Sequence, residues 1–342
     1  MSGRIVSIVV PCRNERDHIA NLCAAVRQQV LPQDWTIELV VADGESDDGT
    51  REWLEQHAAS SPGLRLVPNP GRIVSTGLNA AIRAAQGEVI VRWDVHTRYA
   101  DDYVAQCLAT LERTGADNVG GPWQAQAAVP GTAMAQAIAA SFQSRWVAGG
   151  ARSRQLDYDG PVDTVYLGAW PCSVLERLGG FDENLVRNQD DELNLRLVRS
   201  GGRIWQSPRI RSQYQPRQRL SQVFRQYAQY GYWKPFVMKK HGQPASARHV
   251  VPALFVIALA FGVLCLPLSI VPLLLLLAAY GAAVLAMVVG VWFEQRPAWS
   301  VLWRVPAVIA AYHVAYGCGT VLGIADLGRG ARPQSRFVDL TR

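Results

Sequence analysis

Between Leu193 and Phe293 the chain has not one Asp or Glu, although 28 acidic residues occur among its 342. The same stretch carries twelve Lys or Arg from Arg196 to Arg248, immediately before a long apolar run. Such one-sided charge beside apolar sequence points to an anionic headgroup layer. With no recognisable nucleic-acid module ahead of it, the net charge of +6 and pI near 9.1 are not read as a nucleic-acid footprint. The six cysteines (Cys12, Cys23, Cys107, Cys172, Cys265, Cys318) lack metal-type spacing, and two fall in the apolar tail. A disulfide framework and a zinc site are both excluded, which leaves thiols in a reducing compartment. The N-terminus also lacks a signal peptide, because the run from Ile5 to Cys12 is too short for its apolar region. The first domain is therefore expected to stay in the cytoplasm.

Charge is missing altogether from Val250 to Phe293, 44 residues in a row. That exceeds one membrane span of about 20 residues and suits two spans turning near Pro267 to Pro272. A third apolar segment runs from about Trp299 to Ile324. Basic residues before Val250 put the start of the first span on the cytoplasmic side. Three full spans would carry Arg329, Arg332, Arg336 and Arg342 outside, against the same rule, so two to three spans are expected.

What the N-terminal part does contain is apolar β-rich runs alternating with helical stretches. IVSIVV (5–10), IELVVA (37–42), LRLV (64–67) and EVIVRW (88–93) predict strands, and residues 100 to 115 predict a helix. The pattern is α/β with a parallel sheet and crossover helices. Polar residues follow Val10, Val41 and Trp93, so ligand chemistry is expected at these carboxyl ends. Four regions result: an α/β domain (1–215), a basic and aromatic linker (216–249), an apolar region (250–328) and a basic tail (329–342).

Three of the strand ends carry the motifs VSIVVPCRNE (6–15), VVADGESDDGT (40–50) and RWDVHT (92–97), in that order. Asp47 and Asp48 read as helix-capping turn residues. Asp94 and His96 form a D-x-H that an extended segment would present on one face, and a carboxylate with an imidazole suits Mn2+, with Mg2+ as the alternative.

Together these motifs resemble the inverting family 2 glycosyltransferases of the GT-A fold. The D-x-H in place of D-x-D, and residues 69 to 99, resemble the ExoA-type subgroup named for succinoglycan biosynthesis. The resemblance implies a nucleotide pocket lined by Pro11, Arg13, Glu15 and Asp43, diphosphate contacts from Arg72 and Arg92, and a divalent cation held by Asp94 and His96. Leu78 stands where many members have Arg, which moves the diphosphate role to Arg72. QDDELNLR (189–196) resembles the family's E-D-x-D-L-x-x-R and implies Asp190 as catalytic base, with Gln189 replacing the usual Glu and Asp191 beside it on the acceptor side. LGAWPCSVLERLGGFDE (167–183) resembles the acceptor segment, in which Trp170 offers a face for a sugar ring; a core tryptophan is the competing reading.

RQYAQYGYWKP from Arg225 resembles the ExoA-type segment and lacks the Q-x-x-R-W of processive synthases, which implies transfer of one sugar. Arg217, Arg219, Arg225, Lys239 and Lys240 read either as anchors of an interfacial element or as a solvated basic face. The implied activity is transfer of one hexose, first of all glucose, from a UDP-sugar to a polyprenyl-diphosphate-linked sugar in exopolysaccharide assembly. The expected location is the bacterial inner membrane, multi-pass, with the catalytic domain cytoplasmic. A polyprenyl-monophosphate sugar synthase and an inactive nucleotide-sugar-binding membrane protein are the alternatives.

Overall fold

A computed structural model of the chain describes residues 3–127, 131–242 and 249–330. Arg248, Arg332, Arg336 and Arg342 of the expected basic segments lie outside the described residues. In chain order the elements begin with β1 (Arg4–Cys12), α1 (Ile19–Arg27), β2 (Trp35–Asp43), α2 (Thr50–Ala58), β3 (Leu64–Pro68), α3 (Val74–Ala84) and β4 (Val89–Arg92). There follow β5 (Arg98–Tyr99), α4 (Tyr103–Thr114), β6 (Asn118–Gly121), β7 (Gln124–Ala125), α5 (Ala133–Gln143), β8 (Gly160–Pro161), β9 (Tyr166–Pro171), α6 (Cys172–Leu178) and α7 (Gln189–Arg199). The rest comprises β10 (Ile204–Gln206), β11 (Ser212–Tyr214), α8 (Leu220–His241), α9 (Val251–Leu264), α10 (Val271–Gln295), α11 (Trp299–Leu302) and α12 (Val305–Gly328).

The chain divides into two compact units, residues 1–124 with 155–214, and residues 125–154 with 215–342. The first is built on an eight-stranded sheet of order β3-β2-β1-β4-β9-β6-β10-β8. Strands β1 to β4 are parallel, and β9 enters antiparallel between β4 and β6. The near-continuous apolar runs follow from this position, because a sheet covered on both faces buries every residue of a central strand. Period-two alternation then splits one strand between two cores. Val6, Ile8 and Val10 of β1 pack with Ile19 of α1 and Cys107 of α4, whereas Val9 packs with Leu78 of α3 and Leu197 of α7. Cys12, Cys23 and Cys107 are buried thiols and all six cysteines are free.

In the second unit α10 and the α11–α12 segment Trp299–Gly328 are long and apolar enough to cross a membrane, by length and composition. α9 is apolar but has 14 residues. The aromatic residues of the basic linker do not form a loop. Tyr232, Trp233 and Phe236 are buried on α8, while Arg225, Lys239 and Lys240 are exposed. α8 meets α12 along a seam of glycines. A Cβ on Gly231 would lie 2.0 Å from the Tyr316 carbonyl oxygen, and one on Gly319 would lie 2.1 Å from that of Ala228. Small residues let two backbones approach this closely, a packing mode that works without water to drive it. The Thr320 hydroxyl adds a 3.3 Å bond to the Gly231 carbonyl across the seam, and the Tyr232 hydroxyl bonds Asp326 at 3.0 Å.

Gly319→Leu should lower the thermal unfolding midpoint of the full chain in detergent, since overpacking typically costs about 1–3 kcal/mol and here meets backbone. Gly328→Ala, whose added Cβ meets nothing within 4 Å, should leave it unchanged; equal midpoints for the two variants would refute the seam.

Candidate active site

The strand order reverses between β1 and β4, which makes their carboxyl ends a topological switch point. Register sets the edge: Cys12 lies beside Asp43, Asp43 beside Pro68, and Val9 beside Arg92. The loops after β1, β2 and β3 and the turn after β4 therefore converge on one crevice.

The first two loops are stitched together by their own side chains. Asn14 donates from its amide to Asp47 at 2.7 Å and accepts from the Asp47 N–H at 3.0 Å. Asp48 accepts from the Arg16 N–H at 3.1 Å and from the Thr50 N–H at 3.0 Å, a turn-capping arrangement. The Asp43 carboxylate is buried and accepts from the Ser46 hydroxyl at 2.6 Å and N–H at 3.1 Å, so it also fixes the loop that follows it. Pro11 sits beside Ala42 on the adjacent strand, and the Arg13 side chain packs against Gly44, where an added Cβ would come within 3.1 Å of it. Arg72 pairs with Glu45 across the neighbouring loops, its Nε 2.6 Å from the carboxylate. Asn14, Glu45 and Arg72 all have φ between 54° and 57°, one in each loop. Left-handed backbone at a non-glycine residue costs about 1–2 kcal/mol, and these hydrogen bonds and the ion pair offset it.

Asp94 and His96 are not in an extended segment. β4 stops at Arg92, and the Thr97 N–H closes a turn onto the Asp94 carbonyl at 3.3 Å. The cause lies in Tyr99, whose hydroxyl accepts from the Asp94 N–H at 2.7 Å and donates to the Asp94 carbonyl at 3.2 Å. Its ring stacks on Trp93 at 3.7 Å. The two side chains consequently part company. Asp94 turns to Arg92 at 3.3 Å, whereas His96 Nε2 lies 3.0 Å from Glu15, with the His18 ring 4.6 Å from its own.

Arg92 is the joint of the site. Its side chain is only 6% exposed and reaches both Asp94 and Asp190. Burial works against its charge, and the two carboxylates more than offset that. Asp190 stands in the first turn of α7, which the chain enters through Asn188 at φ 60°. The helix is held from behind by buried Glu192, paired with Arg196 at 2.6 Å, and Arg196 also donates to the Gly180 carbonyl at 2.9 Å. The packed surroundings of Asp190, with Asp94 and Asp191 nearby, push its carboxyl above the usual carboxylate range, while Arg92 pulls it down. Its side chain is nonetheless 41% exposed.

For Trp170 the structure overturns the sugar-facing reading and favours the core one. Trp170 pairs with Ile90 in the sheet, is 2% exposed, and packs its ring edge-on to Phe181 in the core, so it presents no face to a sugar. Earlier on the same strand, the buried Tyr166 has its hydroxyl bonded to Thr97 of the turn after β4 at 2.6 Å. Tyr166 forms an aromatic cluster with Trp123, at 4.7 Å, and with Tyr214, at 5.8 Å. Sequence reasoning missed this cluster and His18. Trp123 follows the end of β6 as the other site segments follow their strands, and His18 stands three residues after Glu15.

The family described as glycosyl transferase family 2 matches residues 7–169. Over 326 residues the chain is 31% identical to the succinoglycan biosynthesis protein ExoA of Rhizobium meliloti (strain 1021), covering 94% of this chain and 96% of that one. The chain is a family 2 glycosyltransferase of the ExoA type. A second relative of this glycosyltransferase, 24% identical over 69% of this chain and 74% of its own, is from Methanococcus voltae. It is named as a dolichyl N-acetyl-alpha-D-glucosaminyl phosphate 3-beta-D-2,3-diacetamido-2,3-dideoxy-beta-D-glucuronosyltransferase. Among solved structures, the mannosyltransferase of Pyrobaculum calidifontis, in complex with GDP-Man and Mn2+, superposes with a TM-score of 0.59 at 21% identity. The match covers 94% of this chain and 88% of that one. The glycosyltransferase thus has the GT-A fold.

If Asp190 works as a base, it works deprotonated, so activity should fall as pH drops through its raised pKa. Arg92 holds that pKa down, and Arg92→Gln should therefore move the acidic limb of kcat/KM to higher pH, besides lowering the plateau. A limb that stays in place would separate Asp190 from the acidic limb.

Proposed function

We propose that this glycosyltransferase moves one hexose, first of all glucose, from a UDP-sugar to a polyprenyl-diphosphate-linked sugar during exopolysaccharide assembly, with inversion at the anomeric carbon. The observation that carries the reading is the Arg92–Asp190 pair at the switch-point crevice, a carboxylate both exposed to an acceptor and held in place. ExoA, named for succinoglycan biosynthesis, supports the pathway class, and the lipid-linked acceptor in the name of the M. voltae relative supports the acceptor class.

In this reading Pro11, Arg13 and Asp43 line the nucleotide pocket and Arg72 meets the diphosphate. Asp190 takes the proton of the acceptor hydroxyl as its oxygen attacks the anomeric carbon, and the bond from that carbon to the diphosphate oxygen breaks on the opposite side. UDP leaves with the bonding pair, and Asp191 lies on the acceptor side. Trp123 supplies the apolar sugar-facing surface that buried Trp170 cannot. Asp94 and His96 on the turn after β4 offer a carboxylate and an imidazole to a divalent cation, Mn2+ or Mg2+. Such an ion neutralises a diphosphate leaving group when bound. The two candidate spanning helices support attachment to the bacterial inner membrane as a multi-pass protein, and the basic run before Val250 supports a cytoplasmic catalytic domain.

Asp190→Asn should lower transfer by about 10²–10⁴-fold, the usual contribution of a general base, while UDP-sugar binding measured by calorimetry persists. Unchanged turnover would remove Asp190 from the mechanism.

A further inference from the structure

The D-x-H turn does not hold its histidine for Asp94. Among the described residues, Glu15, His18 and His96 form a group whose ligand atoms all lie within 4.8 Å of one another. The trio joins two separate segments of the crevice, the β1–α1 loop and the turn after β4. Backbone bonds and a clamped turn position all three. Glu15 donates its N–H to the Thr50 hydroxyl at 2.8 Å, and its side chain is only 12% exposed. His18 is the N-cap of α1, and its N–H bonds the Glu15 carbonyl at 2.9 Å. His96 rides on the turn clamped by Tyr99, with its side chain 54% exposed. Two imidazoles and one carboxylate, held on preorganised backbone at the mouth of a crevice, make a three-ligand set with room for further donors.

We propose that Glu15, His18 and His96 form a two-histidine, one-carboxylate site for a first-row transition metal, so that the nucleotide-linked cation of this enzyme is a transition metal in preference to Mg2+. The physical reason is ligand type. Mg2+ favours oxygen donors in a near-ideal octahedron and dehydrates reluctantly, whereas imidazole suits later divalent ions. Exchanging the second carboxylate of a D-x-D for His96, and adding His18, shifts the donor balance from oxygen towards nitrogen. Mn2+ stands lowest of the first-row series for such a set, and Co2+ binds it more tightly, which makes Co2+ the better probe. The inference rests on the proposal that the turn after β4 serves a cation, and it adds two ligands from another loop.

The test is direct metal binding to the full-length protein in detergent, carried on a tag free of histidine, without nucleotide. Co2+ is followed by its visible absorption and Mg2+ by competition. Wild type should take up one Co2+ per chain in preference to Mg2+. His18→Ala and His18→Gln should each weaken Co2+ by about tenfold or more, as loss of a ligand does, while barely altering Mg2+. Folding of each variant is checked by its unfolding midpoint. Co2+ affinity unchanged in both His18 variants but lost in Asp94→Asn would overturn this site and leave the cation reading of the D-x-H turn standing. Affinity unchanged in the His18, His96 and Asp94 variants alike would overturn both.

Discussion

The buried guanidinium of Arg92 is the constraint on which the site is organised. It lies at the end of a central strand, almost wholly out of water, and can keep its charge there only because Asp94 and Asp190 face it. Removing the partners of such a charge costs about 3–5 kcal/mol, so the sheet end, the turn after β4 and the first turn of α7 are energetically bound together. On the proposed reading, this one cation couples the diphosphate side of the crevice to the side where an acceptor loses its proton. The same coupling sets the chemistry of Asp190, whose carboxyl is raised by its packed surroundings and restrained by Arg92.

Around this joint the crevice is built mostly from loops locked by short polar bonds. Asn14 with Asp47, Asp43 with Ser46, and Arg72 with Glu45 hold three left-handed residues that would not stay in place alone. Glu192 and Arg196 do the same for α7 from its buried side. In the other unit the organising contact is steric instead: α8 and α12 approach until only glycine fits between them. That contact explains why a basic, aromatic stretch is a 22-residue helix with Tyr232, Trp233 and Phe236 buried and several of its charges exposed.

Much of this was legible in the sequence, for a reason that particular residues make plain. The runs of β1, β2 and β4 are apolar because both faces of their sheet are covered, and Cys12, Asp43 and Arg92 are the last residues of those strands. The three motifs therefore fell at one edge, as expected. The D-x-H geometry was not legible, because alternation holds only while a strand continues, and the Tyr99 clamp ends it at Arg92. For Trp170 the resemblance left a sugar-facing and a core reading open, and its burial in the sheet decides for the core. His18 was invisible, as its meeting with His96 joins loops 78 residues apart. The grouping of residues 125–154 with the C-terminal helices left no mark either, since the Ala-rich α5 has the composition of any buried helix.

On the proposed reading, with Asp190 as the base, transfer is one displacement at the anomeric carbon, and its stereochemistry is written into the product. The decisive measurement is the anomeric configuration of the first product formed from an α-linked UDP-sugar, read from its proton coupling constant by NMR. The account predicts a β-linked product. An α-linked product would contradict direct displacement driven by Asp190.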